Sequence, residues 1–318
     1  DKNSKLAIEK GVFSSDLISL NKGSITVEEM EMDVNCDFYL KKKSSVIKAV
    51  ASNVEISDVF SLMPNEVAQE LKDYATKGKV NGTIEITSKK NQKSPTITAD
   101  FSVAGGTITE HKSGVQLTNL KLEGNYSSST NKQRIELVTG SGNLSGGEFT
   151  LNGKIIGQNS QTIVSNLKGD FDLKKLVEFL NIESVESVRG TISLNNQFRG
   201  TKQANNTLRV TEFTGTAKLI NASMKLKHAE NSFDNFVGDV TFNRFNSDAK
   251  FTGNYGNSDF LLSSQFSNFI PYLFNNEELK ANVYLQSKLL ELDKLLGNNK
   301  TSIESGKDTT GVKLPKNI

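Results

Sequence analysis

The chain has no tryptophan, one cysteine, two histidines and four prolines among its 318 residues. A lone Cys36 excludes an internal disulfide and a cysteine-built metal site. His111 and His228 alone leave little material for catalysis or metal binding. No run approaches 18 consecutive apolar residues, so no helix is predicted to cross a bilayer. The N-terminus lacks the basic-then-apolar layout of a signal peptide, which indicates a mature chain or a piece of a longer one.

The chain also lacks an excess of charge of either sign. The 38 Lys and Arg nearly cancel the 36 Asp and Glu, for a formal net charge of +2. A total so close to neutral predicts no general field that would attract nucleic acid or an anionic membrane.

What the sequence does contain is alternation. Short runs place an apolar residue at every second position, the pattern of a strand with one dry face and one wet face. The clearest runs are Ile97/Ala99/Phe101/Val103, Val115/Leu117, Ile135/Leu137, Phe149/Leu151, Ile192/Leu194, Val240/Phe242 and Phe260/Leu262. Because the runs follow one another closely, they predict antiparallel meanders, since parallel strands need long crossovers.

Glycine and asparagine clusters are interpreted as turns between these strands. They are Gly105-Gly106, Ser141-Gly142-Asn143, Gly146-Gly147, Asn195-Asn196, Asn205-Asn206 and Gly253 to Asn257. Helical spacing is rare, and three short helices are predicted. They are marked by Val67/Leu71/Tyr74 after Pro64, by Leu173/Leu176/Val177/Leu180, and weakly by Leu289/Leu292/Leu296.

An internal repeat is the strongest signal. One pattern, apolar–acidic–apolar–x–charged–apolar–apolar, begins at Val54, at Phe171 and at Leu290, 117 and 119 residues apart. It predicts modules of about 115 residues, each a β-meander with a short helix. The predicted division is a partial repeat at 1–50, repeats at 51–164 and 165–266, and a partial repeat at 267–318 that ends in a flexible loop, all within one continuous elongated domain.

Repeated strands with one dry face predict an elongated antiparallel sheet that grows in one direction. The dry face has to be covered, by closure into a barrel, by a second sheet, or by curling into a trough that holds something apolar. A hydrophobic content of 36% favours a thin structure over a thick globule. The predicted fold is therefore mainly β, an elongated and curved antiparallel trough with a few short helices.

Residues 211–268 resemble the AsmA-like family of bacterial envelope proteins. The resemblance lies in the strand Thr211 to Leu219, the strand Phe233 to Phe242, the turn region Phe251 to Phe260, and Phe266 to Asn268. The tail Val312 to Ile318 is similar to the opening of the family's next strand, and the likeness covers most of residues 50–318.

What the resemblance implies is a periplasmic protein anchored to the inner membrane, whose long lipid-lined β-groove supports phospholipid movement and outer-membrane biogenesis. The implied partners are a phospholipid or another acyl-chain lipid, the membrane through a segment outside this chain, and other envelope proteins. No nucleic acid and no cofactor are expected. The chain lacks the family's N-terminal anchor.

Fourteen apolar side chains are predicted to line the groove. An acyl chain offers only dispersion and burial, so lining residues carry no polar groups. The predicted lining residues are Phe101, Leu117, Leu122, Phe149, Leu151, Leu194, Phe198, Leu219, Leu226, Val240, Phe242, Phe251, Phe260 and Leu262. The alternative for each is packing against its neighbours or a helix.

Enzymatic motifs are weak, and no enzymatic activity is predicted. His228 has no evident partner, and His111 stands near a turn. Ser45-Val46-Ile47-Lys48 has the spacing of serine acyltransfer enzymes, yet it lies in a strand-like run. The glycine-rich Gly140 to Gly147 lacks the ending of a phosphate-binding loop.

Two alternative functions remain beside lipid binding. The first is a structural or adhesive β-repeat protein of the cell surface that binds glycans or proteins. The second is a polysaccharide-acting enzyme on a β-solenoid, which ranks last because no cluster of carboxylates or basic residues is evident.

Overall fold

A computed structural model describes residues 4–27, 30–61, 72–130, 132–158, 160–204, 207–227, 231–268, 278–289 and 291. These residues form seventeen strands and two short helices. In chain order they are β1 (Ser4–Phe13), β2 (Leu17–Val27), β3 (Met30–Tyr39), β4 (Ser44–Glu55), α1 (Ile56–Ser61), β5 (Tyr74–Lys77), β6 (Lys79–Ser88), β7 (Thr96–Glu110), β8 (Gln116–Ser129), β9 (Lys132–Leu144), β10 (Gly147–Ile156), β11 (Gln161–Asp172), α2 (Leu173–Phe179), β12 (Val185–Lys202), β13 (Leu208–Leu226), β14 (Phe233–Phe242), β15 (Asn246–Tyr255), β16 (Ser258–Ser267) and β17 (Lys280–Gln286).

All strands belong to one open antiparallel sheet. Each strand pairs with its neighbours in sequence, except that β5 and β6 lie end to end beside β7 and together fill one position. β1 and β17 are the two outer strands of the described sheet. The prediction of a mainly β, elongated and curved antiparallel trough built from repeats with a few short helices is confirmed.

Helix α2 shows how the sheet curls. Asp172 ends β11 and caps the helix by accepting a hydrogen bond from the backbone amide of Lys175 at 2.9 Å. Leu176 and Phe179 then pack against Val115, Leu144 and Phe171, which belong to β8, β9, β11 and their connections. At about 4.8 Å per strand, β5 to β12 would span roughly 29 Å if flat, much wider than a helix of ~10 Å, so the strands wrap around α2.

On the side of α2 away from β12, Tyr74 of β5 contacts the helix. Its hydroxyl donates to the backbone carbonyl of Phe179 at 3.2 Å, and the two rings lie 5.5 Å apart. These residues are 105 positions apart in the chain. The predicted helix that ended at Tyr74 is wrong at that residue, because Tyr74 begins a strand, and Val67 and Leu71 lie outside the described residues.

Several predicted turns are wrong for a common reason. Gly105-Gly106 lies inside β7, Ser141-Gly142-Asn143 inside β9, Asn195-Asn196 inside β12, and Gly253 to Tyr255 inside β15. The turns at Gly146 and at Gly256-Asn257 are confirmed. Asn205-Asn206 lies outside the described residues. Strands of up to 19 residues therefore continue through positions that local composition marks as breaks.

Some of these positions are β-bulges, where the backbone takes a positive φ. Gly105 and Asn119 lie at bulges of the adjacent strands β7 and β8, Gly78 lies between β5 and β6 beside them, and the three have φ of 76°, 52° and 123°. The same feature recurs at Gly190, Asn221 and Asn235, 112 to 116 residues further on. Glycine and asparagine tolerate this conformation best, and a bulge bends its strand. The bends thus recur with the period of the sequence repeat, while the predicted boundaries of the repeats stay a prediction.

Candidate functional site: the apolar face of the sheet

The two faces of the sheet differ in chemistry. Side chains of directly paired residues point to the same face, so the strand registers assign every residue to one side. One side, called here the apolar face, carries mainly apolar residues and glycine. Across β12 to β16 one row carries in register Leu194, Ala217, Val240, Ala249 and Ser264, and the next row carries Ile192, Leu219, Gly238, Phe251 and Leu262.

The opposite side, called the polar face, carries the intervening residues. In register across the same strands lie Ser193, Lys218, Asp239, Lys250 and Ser263. Lys218 and Lys250 flank Asp239, an arrangement of alternating charge that favours cross-strand pairing.

All fourteen predicted lining residues lie on the apolar face. The strand registers place them on one side of the sheet from β7 to β16. Each of them is half-buried. No second layer covers them among the described residues, apart from α1 and α2 at one edge. Whether they contact lipid stays a prediction.

Phenylalanine rings and glycines alternate across this face. The Phe101 ring lies over Gly124 and the Phe149 ring over Gly142, while Gly169, the other register partner of Phe149, lies against the Phe149 Cβ and the Phe171 ring. Phe251 and Phe260 likewise face Gly238 and Gly253. An aromatic ring opposite a strand glycine covers backbone that would otherwise be exposed. Rings and glycines together form a continuous apolar surface, in which neighbouring rings stack or meet edge to face.

Aromatic side chains missed by the sequence reasoning complete this surface. Phe213 and Phe242 stack at 4.7 Å between ring centroids, as do Phe236 and Phe251. Phe233 contacts Phe236, Tyr255 and Phe260 at 4.8 to 6.3 Å. Phe213 keeps the alternation of Ala217 and Leu219, and Phe236 keeps that of Val240 and Phe242, so spacing alone could have found both. Only Phe233 is displaced by a bulge, between Asp234 and Val237, and its register partner Tyr255 identifies it.

The apolar face is closed along one long edge and open along the other. The helix edge holds α1, α2 and the connections 111–115, 145–146, 227–232, 256–257 and 287–291. The open edge holds the connections 14–16, 40–43, 89–95, 130–131, 157–160, 203–207, 243–245 and 268–279. At the helix edge Leu144 is 3% exposed, whereas Ile135, on the same strand and face, is 47% exposed near the open edge.

A buried carboxylate stabilises the helix edge. Glu110, the last residue of β7, is 2% exposed and accepts hydrogen bonds from the backbone amides of Lys112 and Ser113 and from the Ser113 hydroxyl. These hydrogen bonds lower the pKa of Glu110 to about 2, and the bond from the Ser113 hydroxyl has the largest effect. His111 lies exposed in the same turn.

A large hollow lies mainly on the polar face of the sheet. It has a volume of about 1050 Å³ and extends over β7 to β14. A twisted sheet is saddle-shaped, so each face has one concave direction. Three lysines and three carboxylates border the hollow, namely Lys121, Lys168, Lys218, Glu148, Asp170 and Asp239. Phe149, Leu194 and Val240 of the apolar face also reach it, because the sheet is a single layer.

The weak catalytic motifs do not assemble. Ser45 and Lys48 lie three residues apart in β4 and therefore point to opposite faces, with Lys48 paired to Glu85 at 3.2 Å. The described residues hold no group of three or more His, Cys, Asp or Glu placed to bind a metal ion. His228 lies outside the described residues.

Comparisons with known proteins add no relative. No family model, no curated protein and no solved structure matches the chain. Among the described residues no helix has the length and apolar character needed to span a membrane.

Proposed function

We propose that the chain holds or conducts the acyl chains of phospholipid along its apolar face and performs no covalent chemistry. The observation that supports this most is the uncovered apolar face, continuous from strand to strand and rich in aromatic rings. Burial of each methylene of a lipid tail there contributes about 0.8 kcal/mol.

The dimensions of the face fit this cargo. Half of a bilayer's hydrocarbon core, about 15 Å, is the depth that one leaflet's chains fill. The five strands β12 to β16 cover roughly 24 Å at about 4.8 Å per strand. The resemblance to AsmA-like proteins, limited to loose motifs, favours the same function and with it a periplasmic location, anchoring outside this chain and a role in outer-membrane biogenesis.

Native mass spectrometry with lipid extraction tests the proposal. The chain purified from a bacterial host should carry phospholipid, and Phe242→Asp with Leu262→Asp should remove it by placing two charges on the apolar face. Val237→Asp with Ser263→Asp is the matched control, since it adds the same charges to the same strands, β14 and β16, on the polar face.

Circular dichroism establishes that both double variants keep their strands. If the purified chain is free of lipid and also refuses added phospholipid, the apolar face does not hold lipid and the proposal fails. Equal loss of lipid in both variants would have the same meaning.

A second candidate is favoured by the hollow on the polar face. Its lysines, carboxylates, threonines and asparagines offer many hydrogen-bonding groups, as a glycan or a peptide ligand requires. This supports the reading as an adhesive β-repeat protein. Thr216→Trp would fill the hollow, so binding of a polysaccharide or protein that this change abolishes, with phospholipid content unchanged, would favour the second candidate.

A further inference from the structure

Charge is distributed unevenly between the two long edges, although the total is only +2. In the connections of the open edge, the described residues include seven basic side chains and two acidic ones. The described connections of the helix edge include six basic and five acidic side chains. The sequence analysis predicted no attractive field from the total charge of the chain. That total conceals the difference in charge between the two edges.

Six of the seven basic side chains occur in three adjacent connections at the start of the open edge. The connections 14–16 and 40–43 are joined by the Leu40 amide, which donates to the Asp16 carbonyl at 2.9 Å. The connection 89–95 lies next to them, because Ser45 pairs with Ser88 across β4 and β6. The six side chains are all exposed, and they are Lys41, Lys42, Lys43, Lys89, Lys90 and Lys93. Asp16 is the one acidic residue there and pairs with Lys41 at 2.6 Å.

Large apolar side chains project at the same place. Phe13 is 72% exposed and is the last residue of β1, directly before the connection 14–16. Leu40 is 45% exposed and is followed at once by Lys41, Lys42 and Lys43. Scattered exposed apolar residues are ordinary on a protein surface, but here they coincide with the densest basic cluster on the sheet edges. Phe13, Leu40 and the six lysines form what is called here the tip patch.

We propose that the tip patch docks the chain onto the surface of an anionic phospholipid bilayer. Lysine ammonium groups near such a surface are attracted by the negative lipid head groups. Phe13 and Leu40 can enter the boundary between head groups and acyl chains, where aromatic and aliphatic side chains are favourable. The combination of charge and apolar projection fits a bilayer better than a nucleic acid, whose backbone needs the lysines but not Leu40.

None of the tip-patch residues is among the fourteen predicted lining residues, although Phe13 lies at the end of the apolar face on the outer strand β1. The docking stands whether or not the groove holds lipid. It also has a geometric consequence. The tip patch lies on the open edge, so a docked chain turns the uncovered side of its apolar face toward the bilayer and its helices away from it.

Vesicle flotation with the full chain tests the proposal. Vesicles of one part phosphatidylglycerol to two parts phosphatidylcholine should carry the chain upward, whereas vesicles of phosphatidylcholine alone should carry at least ~10-fold less. Binding should weaken in about 1 M salt, where the screening length falls to roughly 3 Å.

Two pairs of variants separate docking through the tip patch from non-specific binding. Lys42→Glu, Lys90→Glu and Lys93→Glu together should reduce binding by about 10-fold or more, while Lys72→Glu, Lys227→Glu and Lys288→Glu make the same charge change at the helix edge and should preserve it. Phe13→Ser with Leu40→Ser should also weaken binding. Their control is Leu180→Ser with Ile182→Ser, which removes two exposed apolar residues, 53% and 41% exposed, at the helix edge.

Equal binding to neutral and anionic vesicles would overturn the proposal, and so would equal loss in the two lysine variants. So would lysine dependence without any effect of Phe13→Ser and Leu40→Ser, particularly if duplex DNA bound with the same lysine dependence. That result would make the tip patch a site for polyanions in general. Measuring co-purified phospholipid in the lysine variant keeps the two proposals apart, because the lysine changes should leave lipid on the apolar face unchanged.

Discussion

The helix edge and the open edge are built from opposite ends of the same strands, yet they differ in burial and in charge. Strand β9 shows the contrast within 13 residues, since Leu144 is 3% exposed at one end and Ile135 is 47% exposed at the other. Both residues lie on the apolar face. Alternation therefore decides which face a side chain occupies, but only a packed partner, here α2, decides whether water reaches it.

The cover at the helix edge depends on few contacts. α2 has seven residues, too short to be stable alone, and it is held by Leu176, Phe179 and the hydrogen bond from Tyr74. The open edge has no comparable element among the described residues. Its apolar and basic side chains, among them Phe13, Leu40 and Lys90, consequently remain exposed to solvent.

The largest expected effect comes from truncating one apolar side chain at each end of strand β9. Leu144→Ala should lower the free energy of unfolding by about 2–5 kcal/mol, because it leaves a cavity beneath α2. Ile135→Ala, in the same strand and on the same face, should cost less than ~1 kcal/mol. Urea denaturation followed by circular dichroism measures both. Equal costs would mean that the two edges are covered alike.

The ring-over-glycine packing gives the next effect. Gly124→Ala places a methyl group where the Phe101 ring lies, and we expect a loss of about 1–3 kcal/mol. Phe101→Leu in the same chain should recover part of that loss, since the smaller side chain leaves room. Asn125→Ala, on the polar face of β8, is the control. A double variant no more stable than Gly124→Ala alone would show that the ring is not the obstacle.

A smaller effect is expected where the sheet wraps around α2. Tyr74→Phe removes the hydroxyl that reaches the Phe179 carbonyl and keeps the ring contact, so it should cost about 0.5–1.5 kcal/mol. Thermal unfolding measures the loss. Limited proteolysis should at the same time cut the α2 segment faster in the variant than in the parent chain, and an unchanged cleavage rate would argue against the link.

The remaining effect is electrostatic and depends on pH. The pKa of Glu110 is lowered from 4.5 to about 2 by folding, so its contribution to stability is present above the unfolded pKa and is lost as pH falls toward 2. Glu110→Gln should therefore flatten the decline of stability between pH ~5 and ~2. Ser113→Ala removes one hydrogen-bond donor to Glu110. In acid titrations of unfolding, its loss of stability with falling pH should be intermediate between that of Glu110→Gln and that of the parent chain. A Glu110→Gln variant with the parent's pH profile would contradict this role.

Sequence reasoning succeeded where a residue's face was at issue. The fourteen predicted lining residues fall on one face because a strand alternates at every second position, and helix α2 was found from Leu173, Leu176 and Val177. It failed at Gly105, Gly142 and Asn195, which stand within strands. Gly142 lies against the Phe149 ring of the neighbouring strand, and Gly105 takes a positive φ at a bulge, so neither marks a turn. Those partners and bends are not visible in the local sequence.

The sequence by itself determined the dry face, the antiparallel order and the repeat, because alternation, closely spaced runs and recurring patterns are local properties of the chain. Only the tertiary structure decided that Tyr74 meets Phe179, that one edge is covered and the other open, and that six lysines gather near Phe13 at one end of the open edge. Those features depend on how far the strands twist and bend around a helix, and that curvature arises from packing between residues far apart in the chain.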